Sequence, residues 1–185
     1  MEKRMEHLTE TDKRGDAAAA AYEWVEAAIF ALVCVVLVFT FLFRIVGVDG
    51  ESMQNTLMNH DRLILTRLPY TPERGDIVVI NRYTAEPLVK RVIAVEGDTI
   101  DIDPETLLVS VNGTVIDEPY LDCLTPLLGF EGPLTVGEGQ VFVMGDNRVN
   151  SHDSRSSDIG LVRVKDIMGK AVFRIWPLNS IGGLY

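Results

Sequence analysis

The chain has 185 residues, with 17 Lys+Arg against 27 Asp+Glu and a formal net charge of -10. That length holds one domain of ordinary size with an appendage, and 47% hydrophobic with 24% charged residues excludes general disorder. So acidic a chain is a poor partner for nucleic-acid backbone, which rewards clustered Lys and Arg. Its two cysteines, Cys34 and Cys123, exclude a disulfide framework and a Cys-rich zinc site.

Residues 1–23 are polar, with an alanine run at 17–21, and predict a solvated or helical tail. Ala27–Phe43 then carries no charge, and Thr40 is its only polar residue. Extended through Trp24-Val25 and Ile45-Val46, the stretch reaches about 20 residues or more. At ~1.5 Å rise per residue that spans a ~30 Å hydrocarbon core. Tyr22, Trp24 and Arg44 suit the interface on either side. A single transmembrane helix over 24–46 is the expectation. A cleaved signal peptide fits less well, because the run is long, a polar prefix precedes it and no clear Ala-x-Ala site follows. A buried core helix also fits less well, since too little protein remains to cover a segment apolar on all sides. Lys3, Arg4, Lys13 and Arg14 precede the span, and only Arg44 and then Arg62 follow it. The positive-inside rule places the N-terminus in the cytoplasm and residues 47–185 outside.

From Val48 onward the pattern turns to short β-type runs. Leu63–Leu65, Ile77–Ile80, Leu88–Val95, Leu107–Val111, Val141–Met144 and Ala171–Trp176 are rich in β-branched and aromatic residues. Asn112-Gly113 predicts a type I′ hairpin. The only hint of a helical turn lies near Met53–Asn59. Pro119–Gly139, rich in Pro and Gly, reads as an excursion or flap and not as core strand. The fold class is therefore mostly β: a single N-terminal transmembrane helix followed by a β-rich domain over 47–185.

The chemistry-bearing residues are sparse. His7, His60 and His152 are isolated, and no His or Cys pair has metal-ligand spacing, so no metal or cofactor is expected. Gly50-Glu51-Ser52-Met53 sets a serine after a turn-forming glycine, a weak signal alone. In Leu88–Val95, Lys90 and Arg91 interrupt an apolar strand. Alternation puts Lys90 on one face with Leu88, Val92 and Ala94. Burial there would lower its pKa and let the neutral amine act as a base. The plainer alternative is that one cation snorkels and the other pairs with an acid. Gly145–Arg155 is dense in hydrogen-bonding groups. It is either a solvated loop or one that orients a nucleophile and its base.

In this order, after one membrane span, these segments resemble the bacterial type I signal peptidases. The resemblance rests on Gly50-Glu51-Ser52-Met53 with Thr56-Leu57, on Arg74-Gly75-Asp76-Ile77-Val78, on Lys90-Arg91-Val92 with Gly97-Asp98, and on Gly145-Asp146-Asn147-Arg148 with Asn150-Ser151, Asp153, Ser154 and Arg155. It implies a β-rich catalytic domain and a membrane-bound serine endopeptidase without a cofactor. Its substrates would be signal peptides of exported preproteins, cut after small residues of the Ala-x-Ala type. Position by position, Ser52 matches the nucleophile and Lys90 the general base, acting through an acyl-enzyme. Ser151 matches the hydroxyl that orients the amine, Asp153 and Arg155 the supporting pair, and Met53 the residue after the nucleophile. Gly50 stands where some members place a second oxyanion-stabilising serine. The lipid bilayer and proximity to the secretion translocase are the other implied partners. Asn55, Glu96 and Val149 depart from common family residues without removing a matched group. Two rival readings fit less well: a self-cleaving repressor-type Ser–Lys protease, which would carry a DNA-binding domain in front, and an inactive membrane-anchored binding domain, which would be expected to lack one of the five matched polar groups.

Overall fold

The computed structural model describes residues 2–66, 70–82 and 86–184, and of residues 2–20 the backbone alone. Two units divide the chain, one up to Leu42 and one from Phe43 onward. The first is a single helix, α1, Glu2–Leu42. Its stretch Ala21–Leu42 is long and apolar enough to cross a membrane, and none of that stretch is buried within the protein. At about 1.5 Å per residue its 22 residues span roughly 33 Å. The side chains of Lys3, Arg4, Lys13 and Arg14, from which the orientation is argued, lie outside the described residues.

The apolar helix stops earlier than residue 46. Phe43–Gly47 is instead strand β1, paired antiparallel from Phe43↔Thr66 to Gly47↔Arg62. Ile45 and Val46 suit helix and strand equally by hydrophobicity. Pairing with a neighbouring strand satisfies their backbone groups, and that decides between the two.

The second unit holds two antiparallel sheets. The strands after β1 are β2 (Arg62–Thr66), β3 (Ile77–Ile80), β4 (Leu88–Val95), β5 (Thr99–Ile102), β6 (Val109–Val111), β7 (Thr114–Val115), β8 (Leu134–Thr135), β9 (Gln140–Met144), β10 (Val162–Arg163), β11 (Ile167–Trp176) and β12 (Gly182–Gly183). The larger sheet runs β1-β2-β11-β3-β4-β9-β10, with β12 on β11; the smaller runs β7-β6-β5-β8. Asn112 and Gly113 both have positive φ, 54° and 77°, the geometry that joins β6 to β7 by a type I′ turn.

Strand β3, at the centre of the larger sheet, is buried on both faces, which explains the uninterrupted apolar run Ile77-Val78-Val79-Ile80. Ile77 and Val79 pack with Met53, Leu57, Leu63 and Leu65. Val78 and Ile80 pack on the other side with Val92, Val141 and Val143. A third cluster joins the two sheets through Ile100, Val111, Phe142 and Met144, with Phe130 edge-on to Phe142 at 5.5 Å.

Two expectations need correction. Ala94 does not share the face of Lys90: a register shift between Val92 and Ala94 against β9 puts both Ile93 and Ala94 in the inter-sheet cluster. One extra residue reverses the alternation beyond it. The segment 119–139 is also more than a flap. It contributes β8, paired with β5, and buries Thr125, Phe130 and Val136. Burial of those few side chains anchors a segment whose Pro and Gly content suggests a free loop.

Candidate active site

Beyond β1 the chain keeps its ladder for one more residue, with the Val48 N–H on the Asp61 carbonyl at 2.8 Å. It then turns at Gly50, whose φ of +98° lies where a Cβ is disfavoured. The Gly50 N–H donates to Asn59 Oδ1 at 3.2 Å. A compact turn follows, closed by Leu57 N–H on the Met53 carbonyl at 2.8 Å. Met53 and Leu57 are buried in the cluster below, so the turn is pinned at two apolar points. Ser52 lies between Gly50 and these anchors.

The second contribution comes from β4. Lys90 pairs across the ladder with Val78 and is only 2% exposed. Its Nζ lies 2.6 Å from Ser52 Oγ, a hydrogen-bonded pair 38 residues apart in sequence. Burial drives the amine pKa from its ordinary 10.5 down to about 8. Asp153 opposes that shift, Arg155 adds to it, and Asp146 opposes it more weakly. Loss of solvation outweighs the nearby carboxylates because they are engaged by arginines of their own.

The third contribution is the loop after β9. Asp153 is fully buried and chelated by Arg155, with Nε on Oδ1 and Nη2 on Oδ2, both 2.8 Å. Oδ2 also accepts from the Ser151 hydroxyl at 2.6 Å and the Gly145 N–H at 3.0 Å. Burial alone would push this carboxyl up, but Arg155, Ser151 and Gly145 together hold it below the ordinary carboxylate range. Asn147 ties the loop to the serine turn, with its N–H on the Ser52 carbonyl at 3.0 Å and its amide on the Glu51 carbonyl at 3.1 Å.

Arg91, next to Lys90, takes the plainer course open to it. It chelates Asp146 at 2.9 and 2.7 Å. Asp146 also accepts from the Thr56 hydroxyl at 2.5 Å, which links β4, the loop and the serine turn. Thr56 and Asp146 lie in the quoted motifs, but nothing local marks them as partners, because 90 residues separate them.

All seven site candidates are therefore placed. Ser52 and Lys90 meet, and Ser151, Asp153 and Arg155 form one buried cluster behind them. The Ser151 hydroxyl is directed to Asp153, not to the Lys90 amine. Met53 is an apolar anchor and Gly50 a turn residue. His152 faces Asp158 at 2.7 Å, and His60 Nε2 lies 3.4 Å from Asn59 Nδ2.

A groove of about 310 Å³ is lined by Val46, Gly47 and Asp49, which precede Gly50, by Pro87 and Val89, which precede Lys90, by Val79 and Met168, and by the charged Arg44 and Glu86. Among the described residues β1 pairs with β2 and no other strand. Among the described residues Leu88–Lys90 pair with β3 alone, because β9 joins β4 from Arg91 onward. Residues of β1 and the first residues of β4 thus border the groove.

The family model of signal peptidase, peptidase S26, matches residues 21–176. Signal peptidase I P of Bacillus subtilis subsp. natto is 42% identical over 171 residues, covering 86% of this chain and 91% of the relative. Signal peptidase I T of Bacillus subtilis is 37% identical over 189 residues, covering 95% and 96%. A solved signal peptidase I from Enterococcus faecalis aligns with a TM-score of 0.46 at 30% identity, over 55% of this chain and 97% of that one. On the family match and these identities, the chain belongs to the signal peptidase family, peptidase S26.

Proposed function

We propose that this enzyme, a serine-type signal peptidase by family, cleaves exported preproteins with Ser52 as nucleophile and neutral Lys90 as general base. The observation that carries the reading is the 2.6 Å pair between a buried amine and a serine hydroxyl. The Lys90 amine takes the proton from Ser52 Oγ as Oγ attacks the scissile carbonyl carbon. The C–N bond breaks, the lysine returns that proton to the leaving amine, and an acyl-ester remains on Ser52. Water, deprotonated by the same amine, then hydrolyses the ester. The Ser52 N–H is the proposed donor to the oxyanion. Asp153 and Arg155 hold the rear of the site, and Ser151 acts on the amine through Asp153.

The substrate would lie extended in the groove, alongside β1 and the first residues of β4. Shallow apolar recesses lined by Val46, Val79 and Val89 suit small side chains at the −1 and −3 positions and exclude bulk. The apolar helix and the family together mark a membrane-anchored protein. We place the N-terminus in the cytoplasm, the β unit outside and the enzyme near the secretion translocase, where preproteins emerge.

The test is cleavage of a purified preprotein bearing an Ala-x-Ala site by the detergent-solubilised wild type beside Lys90→Met. Cleavage at the expected bond by the wild type alone supports the reading. Equal cleavage by both makes Lys90 structural and ends it.

A further inference from the structure

The segment Glu118–Pro126 has no part in the reaction described above, yet it grips the site at several points. The Glu118 carboxylate accepts from both Arg148 Nη1 (3.0 Å) and Nη2 (2.5 Å). Thr125 Oγ1 accepts from the same Nη1 at 2.6 Å. Arg148 is fully buried, and its Nε donates to the Gly145 carbonyl at 3.0 Å. The Pro126 carbonyl accepts from Arg155 Nη1 at 2.9 Å. At the exposed side, Asp122 accepts from the amide of Asn55, in the serine turn, at 3.0 Å.

Tyr120 occupies the middle of the segment. Its hydroxyl donates to Glu118 Oε1 at 2.6 Å. Its ring lies under the Arg91 guanidinium, with Cζ 4.0 Å from the ring centroid. One edge of that planar group chelates Asp146, and its face rests on the aromatic ring. A guanidinium held on both edge and face has little freedom to tilt. Asp146 is also the carboxylate that the Thr56 hydroxyl holds. A tilt of Arg91 would therefore move the serine turn relative to β4, which carries Lys90.

We propose that Glu118–Pro126 is a strap that fixes the Ser52 turn and the 145–155 loop against β4, with Tyr120 a positioning residue acting through Arg91 and Asp146. The inference rests on the Ser52–Lys90 reading. It assigns the strap to the chemical step and not to substrate binding, because none of these contacts borders the groove. Reacting groups misplaced by about 1 Å can cost about a hundredfold in rate.

The test measures kcat, KM and melting temperature for the full-length, detergent-solubilised chain on the Ala-x-Ala preprotein. Tyr120→Leu removes the ring and is expected to lower kcat about tenfold or more with KM unchanged. Tyr120→Phe keeps the ring over Arg91 and is expected to recover kcat to within about threefold of wild type. Asp122→Ala, at the exposed end, is expected to lower kcat about threefold with no change in melting temperature. A folded Tyr120→Leu with wild-type kcat overturns the proposal, and so does one that raises KM alone. Equal loss in Tyr120→Phe and Tyr120→Leu also overturns it, because the ring would then not be the contact that matters. If Tyr120→Leu does not fold, Asp122→Ala decides: wild-type kcat there overturns the strap. Failure of the wild type itself to cleave would count against the Ser–Lys reading instead.

Discussion

Lys90 Nζ and Ser52 Oγ stand 2.6 Å apart, at the junction of a buried strand and a turn pinned by Met53 and Leu57. Neither described histidine side chain is placed on that hydroxyl: His152 is committed to Asp158, and His60 lies against Asn59. Ser52→Ala and Lys90→Met are expected to lower kcat by about a thousandfold or more each, without unfolding the protein. Lys90→Arg is expected to fail equally, since a guanidinium stays protonated and cannot accept the proton. Preprotein cleavage with each purified variant checks all three.

The pH dependence follows from the amine. With its pKa at about 8, the neutral form dominates above that value and the ammonium below it. Rate should therefore fall tenfold per pH unit below about 8 and level off above it. A kcat/KM profile read from pH 6 to 10 would show this limb. A limb near the ordinary histidine range would point to another base.

Stability should move with pH in the same direction. The unfolded lysine titrates near 10.5 and the folded one near 8, so between those values the unfolded state binds more protons. Stability then rises with pH through that window, and below about 8 the buried ammonium carries its full cost. The gap corresponds to roughly 3 kcal/mol. Lys90→Met, which removes the charge and keeps the bulk, is expected to raise the melting temperature at pH 7. That advantage should shrink as pH rises from 8 towards 10. Thermal melts of both proteins across the range would measure it, and a Lys90→Met variant no more stable at pH 7 would contradict the burial argument.

Much of this was legible along the chain, and what was missed has a common cause. Ile77–Ile80, Leu88–Val95 and Val141–Met144 were readable because strand composition and bordering turns are local. The Asn112-Gly113 turn was readable because few residues tolerate two positive φ values in succession. The end of the apolar helix was not, because Phe43–Gly47 has the same hydrophobicity in helix or strand and only its pairing with β2 decides. Nor was the face of Ala94, which depends on a bulge opposite β9. At the site, Ser52, Lys90 and Asp153 came from residue pattern and family resemblance. The clasps Arg91–Asp146 and Arg148–Glu118 did not, since 55 and 30 residues separate the partners.

Asp153 is the hub of the rear cluster and should be the least replaceable of the supporting groups. Its partner Arg155 has no exposed side-chain surface. Asp153→Asn leaves that guanidinium buried without its counter-charge, a loss of about 3–5 kcal/mol. Urea denaturation would read it. The substitution also removes the leading carboxylate that holds the Lys90 pKa up. In the folded fraction the acid limb of the rate profile should move to lower pH. A limb that stays in place would mean that the amine does not feel Asp153.

Gly145 tests how tightly the site is closed. Its N–H donates to Asp153 and its carbonyl accepts from Arg148, so both sides of the peptide are held. Its φ is not in the left-handed region, and alanine is conformationally acceptable there. The obstacle is contact: a Cβ would overlap the Ser151 hydroxyl and the Ser52 carbonyl oxygen. Gly145→Ala must therefore push the loop away from the serine turn, at a cost of about 1–3 kcal/mol in stability. The displaced turn carries Ser52, the proposed nucleophile, so kcat is expected to fall about a hundredfold while most of the protein remains folded. Gly182→Ala, where a Cβ meets nothing within 4 Å, is the matched control and should keep wild-type rates. Comparing kcat for the two at equal folded fraction isolates the contact. If Gly145→Ala turned over like Gly182→Ala, the loop would be yielding at Ser151 without moving Ser52, and the two elements would be less rigidly coupled than their hydrogen bonds imply.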